Sequence, residues 1–297
     1  MNEATEVTLA RWRARIDGAL ARVTANGAPL PEKVRDAVHY SLTGEGKRLR
    51  GLLVLAAYEA LGGKGNAVGL AAAVEIVHAY SLVHDDLPCM DNDHIRRGRP
   101  TTHRAFGVAT ATVAGVAMVA LAVTQAVQAA ETLGLSADVT KRLVSVLMQS
   151  SGATGMVGGQ LMDLMSEGRE IPVKQLEAIH RAKTGALIAA SVTLGGLAAG
   201  GSAAAVDALA KAGESLGLAF QIADDVLDAT ASSEALGKSA GADAKLEKST
   251  YVSTMGVQAA KAHGEALVAD AMQRLQAAGL KNGPLLDLAR FVAARRS

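Results

Sequence analysis

The stretch Phe220-Gln221-Ile222-Ala223-Asp224-Asp225-Val226-Leu227-Asp228 sets residues 221, 224, 225 and 228 at intervals of three and four. That is the repeat of an α-helix, so most of these side chains share one face. The carboxylates of Asp224, Asp225 and Asp228 therefore crowd together on an otherwise apolar helix, where like charges raise one another's pKa unless cations compensate them. Mg2+ suits that task. It is a hard ion that keeps several waters and binds one or two carboxylates together with substrate phosphate oxygens.

Working outward, the same periodicity predicts helices over Ala203–Thr230, Val173–Ala199 and Gln258–Ala278, with a short final helix over Leu285–Arg296. A loop is expected from Ser232 to Thr250. Towards the N-terminus, Leu9, Trp12, Ile16, Leu20 and Val23 mark a first amphipathic helix over residues 7–25. Further helices are expected over Glu32–Ser41, Arg50–Leu61, Ala67–Leu87, Ala105–Leu133 and Ala137–Met165, broken at Gly44, Gly62-Gly63 and Gly134. None of these segments alternates as a strand would. With no Pro/Ser-rich linker and no short repeat, residues 1–297 read as a single all-α domain.

Composition agrees. Hydrophobic residues make up 49% of the chain and aromatics 3%, so the core must be built from Ala, Leu, Val and Met. Lys plus Arg total 30 against 29 for Asp plus Glu, which leaves no global field to attract nucleic acid or an anionic membrane. The single cysteine, Cys89, fits a reducing interior, and Glu3 and Glu6 stand where an export signal would carry Lys or Arg. A cytoplasmic location is the expectation. Ala105–Ala130 and Thr184–Val206 are long and uncharged enough to span a bilayer, but both are rich in small and hydroxyl residues and read as core or interface helices.

A second acidic cluster, Asp85-Asp86-Leu87-Pro88-Cys89-Met90-Asp91, follows the apolar run that ends near Asp85. Pro88 disturbs the helix there and lets Asp91 swing back beside Asp85. Basic groups accompany both clusters. Gly46-Lys47-Arg48-Leu49-Arg50 opens a helix, so Lys47 and Arg50 can meet an anion at its N-terminus. Arg96 and Arg97 offer planar forks for phosphate oxygens, and Lys183, Lys238 and Lys248 add point charges. His78 reads equally as a core histidine or an anion ligand, whereas His84 reads as packing.

Taken together, Gly46 to Arg50, His78 to Arg97, Gly155 to Gln160, Lys183-Thr184-Gly185, Phe220 to Asp228, Gly237-Lys238 and Lys248 to Tyr251 resemble the short-chain trans-prenyl diphosphate synthases, bacterial farnesyl diphosphate synthases above all. The resemblance covers nearly the whole chain. It implies an isoprenoid synthase type helical bundle around a deep central cavity, usually a homodimer, with both acidic motifs at the cavity mouth. It implies an Mg2+-dependent head-to-tail condensation of dimethylallyl or geranyl diphosphate with isopentenyl diphosphate. Three Mg2+ ions are implied, with Mn2+ as a substitute.

By that resemblance Asp85, Asp91 and Asp224 hold the ions, supported by Asp86, Asp225 and Asp228. Arg96, Lys183, Thr184, Gln221, Lys238 and Lys248 take the allylic substrate, while Gly46, Lys47, Arg50, His78 and Arg97 take isopentenyl diphosphate. Thr184, the carbonyl of Lys183 and Gln221 provide partial negative charge near the carbocation, and with the ion-holding Asp85 and Asp224 they make up the implied catalytic set. Tyr80, five residues before Asp85, and Ser81 form a floor that stops growth at fifteen carbons. Val116, Val108 and His94 depart from the family pattern where acids are frequent, and Val116, on a helix expected near the dimer interface and cavity floor, bears on oligomer packing and product length.

The alternatives are a geranylgeranyl diphosphate synthase, a non-catalytic partner subunit, a terpene cyclase, and an HD-type metal phosphohydrolase using His84-Asp85. The last leaves the Asp224 cluster without a role. A cyclase would carry a different second motif and lack the Lys47, Arg50 and Arg97 site.

Overall fold

The computed structural model describes residues 3–25, 30–230 and 249–293. Its helices are α1 (Glu3–Ala25), α2 (Glu32–Leu42), α3 (Leu49–Ala60), α4 (Val68–Asp85), α5 (Thr102–Phe106), α6 (Val108–Thr132) and α7 (Ala137–Ser151). There follow α8 (Met156–Met165), α9 (Val173–His180), a π-helical turn at Arg181–Gly185, α10 (Ala186–Ala198) and α11 (Ala203–Thr230). The described chain ends with α12 (Tyr251–Met255), α13 (Val257–Ala277) and α14 (Pro284–Ala293).

Two helices are apolar nearly all round and stand at the centre. From α4 the chain buries Val68, Leu70, Ala71, Val74, Ile76 and Val77, and from α10 it buries Leu187, Ile188, Val192, Leu194 and Leu197. Helix α4 packs on α3 and α6, while α10 packs on α3, α7 and α11. Small residues let these axes approach closely. A Cβ added at Gly195 would lie 2.3 Å from the Val54 carbonyl oxygen of α3, and one at Gly213 would lie 2.6 Å from Cα of Ala189 on α10. A core this poor in aromatics gains its density from such backbone contacts.

The helical reading holds, with local corrections. Ala105–Leu133 is interrupted at Gly107, whose φ of 86° ends α5 and turns the chain into α6. Ala137–Met165 divides into α7 and α8 around Gly152 and Gly155. A two-residue antiparallel pair, Ile95–Arg96 with Arg99–Pro100, was not expected, because such short strands show no alternation. Its turn residues Arg97 and Gly98 both have positive φ, 53° and 73°, the pattern of a tight type I′ hairpin.

Among the described helices only α6 is long and apolar enough to cross a membrane. It buries Ala111, Ala114, Gly115, Met118 and Ala122 and leaves Val108, Val113 and Val116 exposed, so it is half core and half open face. The other uncharged stretch, Thr184–Val206, divides into the π turn, the buried α10 and the start of α11.

Candidate active site

The first acidic cluster forms where α4 stops. The Asp91 N–H donates to the Asp85 carbonyl at 2.9 Å, closing a compact turn after Pro88 that returns Asp91 to Asp85. Asn92 completes the turn with φ of 52°. Burial pushes the Asp85 carboxyl up to about 6; Asp91 and Asp86 add to the shift, while Lys183 and Arg96 oppose it. Asp86 is 2% exposed and its Oδ1 accepts from Arg96 Nε at 2.7 Å and Nη2 at 2.6 Å. Arg96 also reaches Asp93, so its fork is engaged within the cluster.

The second cluster lies inside α11, as its spacing requires. Asp225 is 3% exposed. Its Oδ1 accepts from Gln221 Nε2 at 3.0 Å and its Oδ2 from the Tyr251 N–H at 2.9 Å. A carboxylate only accepts, so the Gln221 amide must turn its NH2 towards Asp225 and its oxygen away. That oxygen accepts the Thr184 hydroxyl at 3.0 Å. Asp224 and Asp228 stand half-buried on the same helix, and Asp228 Oδ1 is buried with no hydrogen-bond partner among the described residues.

The π turn joins the clusters. Its wider turn carries Lys183 and Thr184, and such turns recur at functional sites. Two glycines admit it: a Cβ at Gly159 of α8 would lie 2.2 Å from the Lys183 N, and one at Gly217 of α11 would lie 2.5 Å from Cα of Gly185. Lys183 Nζ contacts Asp163 Oδ2 at 2.6 Å and lies within electrostatic reach of Asp85. Lys183 thus relates the first acidic cluster to Thr184, Gln221 and the second.

Asp163, one helical turn after Gly159 on α8, is a site residue that the sequence reading did not include. Gln160 was noted only as part of a resemblance. It is buried, and neither amide atom has a hydrogen-bond partner among the described residues. His180, at the end of α9, was also missed; burial lowers its pKa to about 4.

The basic residues gather around His78 in the C-terminal half of α4, in a cleft that Arg48, Arg96 and Arg97 share with Asp86. His78 is held well below the ordinary histidine range by burial and by Arg50, Arg97, Arg96 and Arg48. Arg97 Nη1 donates to the Glu45 carbonyl at 2.6 Å, and a Cβ at Gly46 would lie 2.7 Å from that nitrogen, so Gly46 makes room for the guanidinium. Arg48 is structural: buried, with φ of 51°, it bonds Asp17 and the Leu42 and Gly44 carbonyls. The N-terminal turn of α3, read as an anion site, already gives its Gly51 N–H to buried Glu75 at 2.8 Å. Lys47 is exposed and Arg50 half-buried beside it. Lys238 and Lys248 lie outside the described residues.

Tyr80 is half-buried on α4, and Ser81 bonds the His78 carbonyl. The His84 ring turns to α6, where Nε2 lies 3.1 Å from the Thr112 carbonyl, which weighs against a His84-Asp85 metal pair.

This geometry agrees with a family model described as Polyprenyl synthetase, which matches residues 31–281. The chain belongs to that family. Farnesyl diphosphate synthase of Escherichia coli is 45% identical over 254 residues, covering 84% of this chain and 85% of that protein. The large subunit 1 of the heterodimeric geranylgeranyl pyrophosphate synthase of Arabidopsis thaliana is 41% identical over 272 residues, covering 90% and 73%. A geranyltransferase of Helicobacter pylori, solved with magnesium and isoprenyl diphosphate, superimposes with a TM-score of 0.82 at 27% identity over 99% of this chain and 98% of that one. The all-α fold of this polyprenyl synthetase is the fold of that structure.

The residues fit a hard divalent cation. Asp85 is crowded by Asp91 and Asp86, Asp228 Oδ1 has no hydrogen-bond partner among the described residues, and the donors are carboxylate oxygens. Among the described residues no three of His, Cys, Asp or Glu converge into a cage for a metal.

Proposed function

We propose that this polyprenyl synthetase condenses dimethylallyl or geranyl diphosphate with isopentenyl diphosphate, head to tail, and releases mainly farnesyl diphosphate. The observation that carries this reading is the bridge from Asp85 through Lys183 and Thr184 to Gln221 and Asp225. It relates two acidic clusters through the residues suited to a diphosphate and a carbocation.

In this reading Asp85, Asp91 and Asp224 hold Mg2+, with Asp228 assisting, while Asp86 and Asp225 brace them from within. Bound there, Mg2+ supplies Lewis-acid stabilisation of the departing pyrophosphate. The protein forms no cage among the described residues, so these carboxylates would leave the ion open to water and substrate phosphate oxygens. Lys183 adds positive charge at the leaving group, with Arg96, Lys238 and Lys248 as the remaining allylic contacts. The Gln221 oxygen, aimed by Asp225 and met by the Thr184 hydroxyl, offers partial negative charge to the allylic cation. Lys47, Arg50, Arg97 and neutral His78 take the diphosphate of the second substrate, with Gly46 leaving space. The released pyrophosphate accepts the final proton.

Tyr80 is the floor in this reading, with Ser81 beside it. The exposed valines of α6 are the face on which a second copy packs. The Arabidopsis relative keeps a twenty-carbon product as the second reading. Purified protein with Mg2+, geranyl diphosphate and labelled isopentenyl diphosphate separates the two, with products sorted by length after dephosphorylation. A fifteen-carbon alcohol is expected, a twenty-carbon majority would favour the second reading, and no elongated product would overturn both. Tyr80→Ala is expected to lengthen the product, and an unchanged spectrum would remove the floor.

A further inference from the structure

We propose that His84 is a positioning residue for product length: clamped on α6 at Thr112 and Gly115, its ring holds the Tyr80 ring in the place the elongation reading gives to the floor. This rests on the elongation reading above and adds to it a residue that acts through Tyr80.

Tyr80 and His84 are one turn apart on α4, so their side chains meet. Their ring centroids lie 5.0 Å apart with planes at 75°, an edge-to-face pair. The Tyr80 ring also packs against the main apolar core. Among the described residues no protein group hydrogen-bonds its hydroxyl, so packing alone fixes the ring. On its other side the histidine is anchored. Nε2 lies 3.1 Å from the Thr112 carbonyl, which only accepts, so Nε2 carries the proton and donates.

Gly115 completes the clamp. A Cβ built there would lie 2.1 Å from His84 Nε2 and 2.4 Å from Cδ2, so any side chain at 115 expels the ring. The neighbouring Val116 is 62% exposed and takes no part. This gives Gly115 a physical reason that helix packing alone does not supply. A tyrosine backed by a fixed ring is a hard stop, whereas one without its neighbour can swing and admit another isoprene unit.

The test measures the ratio of twenty- to fifteen-carbon products with geranyl diphosphate as primer in folded wild type, His84→Ala, Gly115→Ala, Tyr80→Ala and Tyr80→Ala/His84→Ala. That ratio is insensitive to a general loss of turnover. We expect His84→Ala and Gly115→Ala each to raise it by about tenfold, the scale of one apolar discrimination. The double variant should match Tyr80→Ala, because the histidine acts only through the tyrosine. If Tyr80→Ala lengthens the product while the other two keep the wild-type ratio, the clamp is wrong and the floor stands. If none lengthens it, both fail, and a wild type that elongates nothing removes the activity itself. Should either variant fail to fold, His84→Gln keeps a donor for Thr112 without the ring. Lengthening is again expected, and a wild-type ratio contradicts the clamp.

Discussion

The two acidic clusters solve one problem with different backbones. In α11 the acids sit inside an unbroken helix, so spacing alone places them. After α4 the helix has ended, and a turn closed by the Asp91 N–H on the Asp85 carbonyl does the placing. Both nevertheless divide the Asp-Asp pair the same way. The second acid, Asp86 or Asp225, is buried and held by donors from a later segment, Arg96 in one case and the Tyr251 N–H in the other. The first acid, Asp85 or Asp224, stays half-buried beside the site. Each pair thus has one half-buried acid, the ligand in the proposed reading, and one buried brace that ties the motif to distant sequence.

The comparison breaks most visibly at the site-facing acids. Asp85→Asn and Asp224→Asn should each lower kcat by about a thousandfold, since each removes charge from the leaving-group site. Steady-state rates with geranyl diphosphate check this, and a large loss in one variant only would deny the two clusters equal standing. At the braces the expected loss is smaller. Asp86→Asn and Asp225→Asn should cost about 10- to 100-fold in kcat, the scale of residues that orient ligands. Asp225→Asn sets an NH2 against either Gln221 Nε2 or the Tyr251 N–H, so its loss should persist at saturating Mg2+.

The bridge between the clusters is sharpened by Gly159→Ala. The added methyl meets the Lys183 backbone, and overpacking of this kind costs about 1–3 kcal/mol, readable as a lowered melting temperature. The smallest effect is in pH. Asp85 is raised from 3.8 to about 6, so its contribution to metal-free stability is complete below pH 3.8 and is lost as pH rises through 6. His180 is lowered from 6.5 to about 4, so its contribution is complete above pH 6.5 and is lost on acidification towards 4. The two trends oppose each other in one window. Asp85→Asn should therefore make metal-free protein lose melting temperature more steeply between pH 6.5 and 4 than wild type does.

Much of this was legible in the residues. The α11 boundaries, Ala203–Thr230, follow from periodicity, and the return of Asp91 follows from Pro88. What periodicity could not show is where an Ala- and Gly-rich run breaks, because Gly107 and Gly155 look like ordinary helix glycines until the backbone turns. The π turn leaves the apolar pattern almost intact. Asp163 was hidden because its partner Lys183 is brought to it by a glycine contact between α8 and the π turn. The burial of Asp86 and Asp225 depends on Arg96 and Tyr251, which sequence spacing does not tie to them.

In the proposed reading both clusters grip one diphosphate through shared divalent ions. Calorimetric binding of a non-ionising allylic thiodiphosphate, with and without Mg2+, tests it in wild type, Asp85→Asn and Asp224→Asn. We expect Mg2+ to strengthen binding strongly in wild type and to do so poorly in both variants. Wild-type Mg2+-dependent affinity in either variant would contradict the claim.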